Sequence, residues 1–222
     1  ADLAPVHALP TDRPRPEQLD NAGARHVARL DAAARHALAA FAQTEHTTVF
    51  VALQAAFALA LKRHGDAADV VFATPVAGRT RAELEPLVGF FVNTLALRHR
   101  VDESLTARAW LARTKAVTLA AFERQDVPFD RVIDALNPPR SLSHAPLVQI
   151  MLSYQRRTRG DVALAGLAVR AWPLPQAGSK FELSLDVADA DDGLELTFDY
   201  NTRLFDAARI DGMSEFSTVW TV

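Results

Sequence analysis

The stretch Phe181-Glu-Leu-Ser-Leu-Asp-Val-Ala-Asp-Ala-Asp-Asp-Gly-Leu-Glu-Leu-Thr-Phe-Asp-Tyr200 decides the fold class. Phe181, Leu183, Leu185 and Val187 alternate with Glu182, Ser184 and Asp186. After the turn from Asp189 to Gly193, Leu194, Leu196, Phe198 and Tyr200 alternate with Glu195, Thr197 and Asp199. Successive side chains of a strand point to opposite faces, so the two runs predict an antiparallel hairpin with one buried face.

Upstream the period is different. A helix is expected from Asp31, a plausible N-cap, to about Gln43. A second begins after Thr47, with Phe50, Leu53, Phe57 and Leu61 at helical spacing and Gly65 as its C-cap. The apolar run Val70-Val-Phe-Ala73 predicts a buried strand over Asp69–Pro75, and Phe91–Arg98 predicts another. A long loop joins them, and its Arg79, Arg81 and Glu83 read as surface ion pairs. Ser104 is placed to cap a long helix reaching about Arg124, with Ala107, Trp110, Thr114, Val117 and Ala121 on one face. Pro128 falls in the first turn of a short helix ending near Asn137. Leu147–Tyr154 reads as a strand. A last helix starts at Asp206, with Phe205 and Ile210 as a hydrophobic staple. Together these predict an α/β fold: helices packed on a mixed, largely antiparallel sheet. Pro5, Pro10, Pro14 and Pro16 mark residues 1–20 as a linker or surface-hugging arm before a body at 21–222.

Composition narrows the function classes. The net charge is -3, and the basic residues (21 Arg and 3 Lys) are scattered, so nucleic acid and anionic membranes are not expected partners. With no cysteine, disulfides, thiolate metal sites and a Cys nucleophile are excluded. The start Ala1-Asp-Leu-Ala-Pro5 has neither a basic region nor an apolar signal core, which makes a cytoplasmic location the default expectation. No phosphate-binding loop, dinucleotide fingerprint, nucleophile elbow or zinc-spaced histidine pair is present. The seven histidines stand singly and read as surface or helix-end residues. His144 beside Ser141 and Ser143 lacks an orienting carboxylate, and the acidic turn at Asp189, Asp191, Asp192 and Gly193 has the wrong register for a calcium loop. The residues by themselves show no catalytic centre.

Three segments nevertheless fall in an informative order. They are Val88-Gly-Phe-Phe-Val-Asn93-Thr-Leu-Ala-Leu-Arg98, then Arg124-Gln-Asp126-Val-Pro128-Phe129-Asp130, then Arg140-Ser-Leu-Ser143-His-Ala-Pro146-Leu147. They resemble the signature motifs of nonribosomal peptide synthetase condensation domains. Ser179-Lys-Phe-Glu-Leu183 and Tyr200-Asn-Thr-Arg-Leu-Phe205-Asp206 resemble that family's closing segments. Arg124 stands where the family has His or Asn. Ser141, His144, Ala145 and Val148 replace the usual Asp, Arg, polar residue and Phe. The family's His-His-x-x-x-Asp-Gly motif, which carries its catalytic histidine, is not in this sequence.

The resemblance implies a chloramphenicol-acetyltransferase-like lobe, the C-terminal and acceptor-side half of a domain that forms amide bonds between carrier-bound thioesters. Residues 1–20 would then be the inter-lobe linker. No catalytic residue, metal or directly bound cofactor is expected in this chain. The expected partners are the N-terminal lobe, the acceptor carrier protein with its phosphopantetheine arm, and neighbouring synthetase domains. Holding both arms in one tunnel makes attack effectively intramolecular, an orientation effect worth up to about 7–11 kcal/mol. The resemblance gives Gly89 and Asn93 a place in a tunnel floor. By themselves they read as a strand-entry glycine and an asparagine bonding local backbone. Ser179 reads either as lining the acceptor channel or as a plain strand-end serine. Arg98 belongs to the first motif's framework. Asp126, Pro128 and Phe129 read as helix cap, first-turn proline and core aromatic, Arg140 and Ser143 as serving a loop or lobe contact, and Pro146 as part of the third motif's framework. Two rival readings remain: an epimerisation, heterocyclisation or ester-forming relative, and a non-catalytic module that binds carrier proteins. A free lobe would leave a sheet edge and the floor loop unpaired, which predicts concentration-dependent self-association.

Overall fold

A computed structural model describes residues 3–65, 68–157, 167 and 178–215, so parts of the expected body at 158–166, 168–177 and 216–222 lie outside the described residues. The elements run β1 (Gly23–Asp31), α1 (Ala32–Thr44), α2 (Val49–His64), β2 (Asp69–Val76), β3 (Asn93–Arg100), α3 (Ala107–Phe122), α4 (Phe129–Leu136), β4 (Ile150–Arg156), β5 (Leu183–Ala190), β6 (Gly193–Asn201) and α5 (Ala207–Ser214). A short 3-10 turn at Ala82–Leu84 interrupts the β2–β3 loop.

One six-stranded sheet has the order β1-β6-β5-β4-β2-β3. The β1–β6, β6–β5 and β2–β3 neighbours are antiparallel, while β5–β4 and β4–β2 are parallel. The mixed, largely antiparallel sheet is therefore as expected. The β5–β6 hairpin closes over two residues, Asp191 and Asp192, because Ala190 pairs with Gly193. Gly193 has φ +144°, and a Cβ there would lie 2.2 Å from the Leu30 carbonyl, so no other residue fits.

Alternation places Leu183, Leu185, Val187, Leu194, Leu196 and Phe198 in the core beside Ile150, Leu152, Phe72 and Leu97. Side chains of α1, α2, α3 and α5 complete that core, with Phe57 packed edge-on against Phe72. Helix α2 is buried along most of its length, and Trp110 of α3 donates its indole N–H to the Ala55 carbonyl. No single described helix is long and apolar enough to cross a membrane.

Several local expectations are corrected. No strand is expected over Gly23–Asp31 because its faces are chemically blurred: Val27 is exposed, and His26 packs toward Phe198. Asp31 does cap α1, accepting from the Ala34 N–H at 2.8 Å. Thr106, not Ser104, caps α3; Ser104 instead bonds Asp102 in the preceding turn. The packed face of α3 is accordingly Trp110, Leu111, Thr114 and Thr118, while Ala107 is exposed. Gly65 ends α2 in an extended conformation (φ -113°), where a Cβ would lie 2.9 Å from the Leu61 carbonyl. Strand β4 starts three residues later than expected because Leu147 has φ +67° and the Val148 N–H bonds the Pro146 carbonyl, a tight γ-turn. Phe205 and Ile210 are both buried as the staple requires, but the Asp206 carboxylate takes Arg13 rather than capping α5. His99, expected at a surface or helix end, is 1% exposed in the core between Phe72 and Trp110.

Candidate functional site

Two clusters organise the motif residues. In the first, Asn93 opens β3 and reaches across to the turn between α3 and α4. Its amide donates to the Gln125 carbonyl at 2.7 Å and the Val127 carbonyl at 2.8 Å, and its Oδ1 accepts the Phe129 N–H at 3.1 Å. Both amide hydrogens are thus committed to backbone. Within this chain the Asn93 amide ties the first motif to the second. The third bond also supplies the N-terminal cap of α4, since Pro128 is the N-cap residue and has no side-chain donor or acceptor. Asp126 is exposed and does not cap α4, and Phe129 is half-buried rather than in the core. Arg98, farther along β3, grips Asp69 on β2 through Nε at 2.9 Å.

The loop before Asn93 projects. Val88 is fully exposed and Phe90 is 91% exposed, with Leu87 and Val92 about half exposed. Gly89 sits between them, where a Cβ would lie 3.0 Å from the Phe91 ring. Arg79 makes no surface ion pair of the kind expected. Its guanidinium donates to the Leu84 carbonyl and, at 2.9 Å, to the Leu87 carbonyl, and it lies 4.3 Å over the Phe91 ring.

The second cluster joins the arm to the body. Arg15 clamps Glu182 in a two-pronged contact at 2.6 and 2.7 Å and donates to the Ser143 carbonyl at 3.1 Å. His7 Nδ1 accepts the Leu9 N–H, which leaves Nε2 protonated to donate to Glu182 at 2.8 Å. Gln149 accepts the His7 N–H at 2.9 Å. Burial alone would push the Glu182 carboxyl up, but the His7 and Arg15 hydrogen bonds outweigh it and hold the group below the ordinary carboxylate value. Farther along the arm Asp12 pairs with Arg209 and Leu9 is buried in the core. Strands β2 and β4 meet through one residue pair, Ala73 with Met151, and the arm borders an apolar cavity of about 230 Å³ against Val70, Leu147 and Ile150.

Ser179 is buried beside this cluster, with its hydroxyl donating to the Phe181 carbonyl at 2.5 Å and its N–H to the Asn21 carbonyl. Both its hydroxyl and its N–H are thus bonded to backbone. Ser143 bonds Ser141 within its own loop. His144 bonds only the neighbouring Ala145 carbonyl at 3.1 Å, so no Ser–His pair forms. Exposed Arg140 and Pro146 border a cleft of about 490 Å³ against the end of α4.

Sequence reasoning missed the roles of Arg79, His7, Arg15 and Glu182. A signal existed for Glu182, a lone carboxylate between Phe181 and Leu183 at the entry to a buried strand, which needs a cation once desolvated. For Arg79 there was none, because its partners are main-chain carbonyls.

The mixed sheet with its packed helices is an α/β fold that matches the chloramphenicol-acetyltransferase-like fold of condensation-domain structures. The chain matches the condensation domain family over residues 1–218 and belongs to it. It is 40% identical over 212 residues to a linear gramicidin synthase polypeptide of Brevibacillus parabrevis, covering 95% of this chain and 3% of that one. The chain thus spans only a small part of the length of that relative. Among solved structures, the four-domain nonribosomal peptide synthetase AB3403, in its holo form with AMP and glycine, matches with TM-score 0.89 at 26% identity, covering 98% of this chain and 18% of that one. The X-domain from teicoplanin biosynthesis matches with TM-score 0.88 at 26% identity, and this chain spans 99% of itself and 51% of that chain.

Proposed function

We propose that this chain is the acceptor-side lobe of a condensation domain, acting with an N-terminal lobe that supplies the acid/base histidine. Amide formation then takes place between donor and acceptor groups on carrier proteins, whose phosphopantetheine arms meet where the two lobes join. The lobe binds no cofactor of its own and works in the cytoplasm among neighbouring synthetase domains. The supporting observation is the loop from Leu87 to Val92. Adjacent apolar side chains, Val88 and Phe90 above all, stand in solvent on a loop whose conformation is held internally. An apolar tip of this kind suits a protein surface rather than water. In this reading Gly89, at that tip, forms part of the tunnel floor, and Asn93 acts from behind it.

A second reading is a non-catalytic binding module. It draws support from the likeness to the X-domain, which has been solved in complex with OxyB at TM-score 0.87 and 26% identity to this chain. The two readings separate in an amide-formation assay with loaded donor and acceptor carrier proteins, run with this chain alone and with a matching N-terminal lobe. Product only when the lobe is added supports the acceptor-side assignment. Product from the chain alone overturns it, and no product in either case, with carrier binding intact, favours the module.

A further inference from the structure

The loop at 77–92 holds its apolar tip out in solvent, and two residues at its base tie it together. Gly78 has φ +65°, and a Cβ there would fall 1.9 Å from the Phe91 carbonyl oxygen. The two ends of the loop therefore touch at a point that only glycine permits. The next residue, Arg79, spreads its guanidinium between the Leu84 and Leu87 carbonyls and covers the Phe91 ring. Three separate parts of the loop converge on one planar cation: the 3-10 turn, the start of the apolar tip and the strand-entry aromatic. A guanidinium offers donors in a fixed fork, and its face stacks on aromatics; an ammonium offers one compact charge and cannot do both. Asn93 then fixes the far end of the loop to the α3–α4 turn.

We propose that Arg79, hinged by Gly78, is a positioning residue that presents Leu87, Val88 and Phe90 to the companion lobe. This rests on the two-lobe reading above. The loop is pre-ordered in the free chain, so docking does not have to order it and affinity is not lost to that entropy.

The test has two independent arms. Hydrogen exchange on this chain alone reads the clamp: Arg79→Ala and Gly78→Ala speed exchange across residues 84–92 by about tenfold, the loss of a charge-assisted bond to backbone. Arg79→Lys is expected to behave like Arg79→Ala, and exchange in the core strands stays unchanged. Unchanged loop exchange in Arg79→Ala overturns the clamp whatever the function. Titration with the N-terminal lobe reads the docking: the wild type binds, and Arg79→Ala and Arg79→Lys bind about tenfold more weakly. Equal binding by all three overturns the positioning role. Failure of the wild type to bind overturns the two-lobe reading and the docking role with it, leaving the exchange result to decide the clamp.

Discussion

The side-chain oxygen of Asn93 accepts the Phe129 N–H at 3.1 Å, so the first residue of β3 caps a helix 36 positions later in the chain. The same amide holds the carbonyls of Gln125 and Val127. Two motifs that look like separate signatures are thereby one structural unit, with the projecting loop hung from one side of it.

Asn93→Ala removes three bonds to backbone and is expected to destabilise the chain by about 3 kcal/mol, each net bond contributing near 1. Asn93→Asp is expected to cost at least as much, because a carboxylate would face two carbonyl oxygens. Urea unfolding of the three proteins checks this, and an Asn93→Ala midpoint equal to wild type would return the residue to a substrate role.

His99 gives the chain a stability loss at mildly acid pH. Its ring is buried between Phe72 and Trp110, and neither ring nitrogen has a hydrogen-bond partner. Burial, with a smaller contribution from Arg113, lowers its pKa from 6.5 to about 4. The unfolded chain therefore takes up a proton first: stability is full above pH 6.5 and falls as the pH drops toward 4. Between pH 7 and pH 5 the loss is about 2 kcal/mol. His99→Phe keeps the stacking and is expected to flatten that limb in unfolding curves measured at both pH values. An unchanged slope would show that other groups cause it.

Glu182 acts in a lower window. Its folded carboxyl lies below the ordinary value of 4.5, so its contribution is present above that pH and is lost as pH falls through the folded value. Arg15→Ala leaves a carboxylate that is 2% exposed with His7 alone and is expected to cost about 3 kcal/mol at pH 7. It also shifts this acid transition to higher pH. Glu182→Gln is expected to cost less, since the charge left behind is on Arg15, which is more exposed than Glu182 and still donates to the Ser143 carbonyl. Denaturant titrations at pH 7 and pH 4.5 order the variants, and a smaller effect for Arg15→Ala than for Glu182→Gln would contradict the argument.

The apolar loop tip predicts that the free chain associates with itself as concentration rises. Val88→Asp combined with Phe90→Ser is expected to hold it monomeric without moving the thermal midpoint, because neither side chain is in the core. Light scattering over a hundredfold concentration range decides the matter; a wild type that stays monomeric throughout would count against it.

Periodicity alone was enough for the hairpin. Leu183, Leu185 and Val187 on one strand and Leu194, Leu196 and Phe198 on the other must share a face, and Gly193 permits the turn. The helical stripe of Phe57 and Leu61 was equally plain. These readings hold because the pattern that makes an element is local and repeats along it. Strand β1 was hidden because its packed face carries His26 and its open face Val27, so polarity did not follow burial.

The motif residues were legible as a set, and with them the family, but their roles were not. That Asn93 spans to the Gln125 and Val127 carbonyls, and that the Ser179 hydroxyl bonds the Phe181 carbonyl, could not be read from the motifs. Arg79 looked like a surface charge, and its partners are carbonyls that every residue type carries alike. His7 and Arg15 meet Glu182 across 175 and 167 positions of chain, a pairing that no local pattern encodes. Element type follows from the order of side chains along the chain. The partner of a polar group depends on where folding brings the distant backbone, and only the tertiary structure decided that.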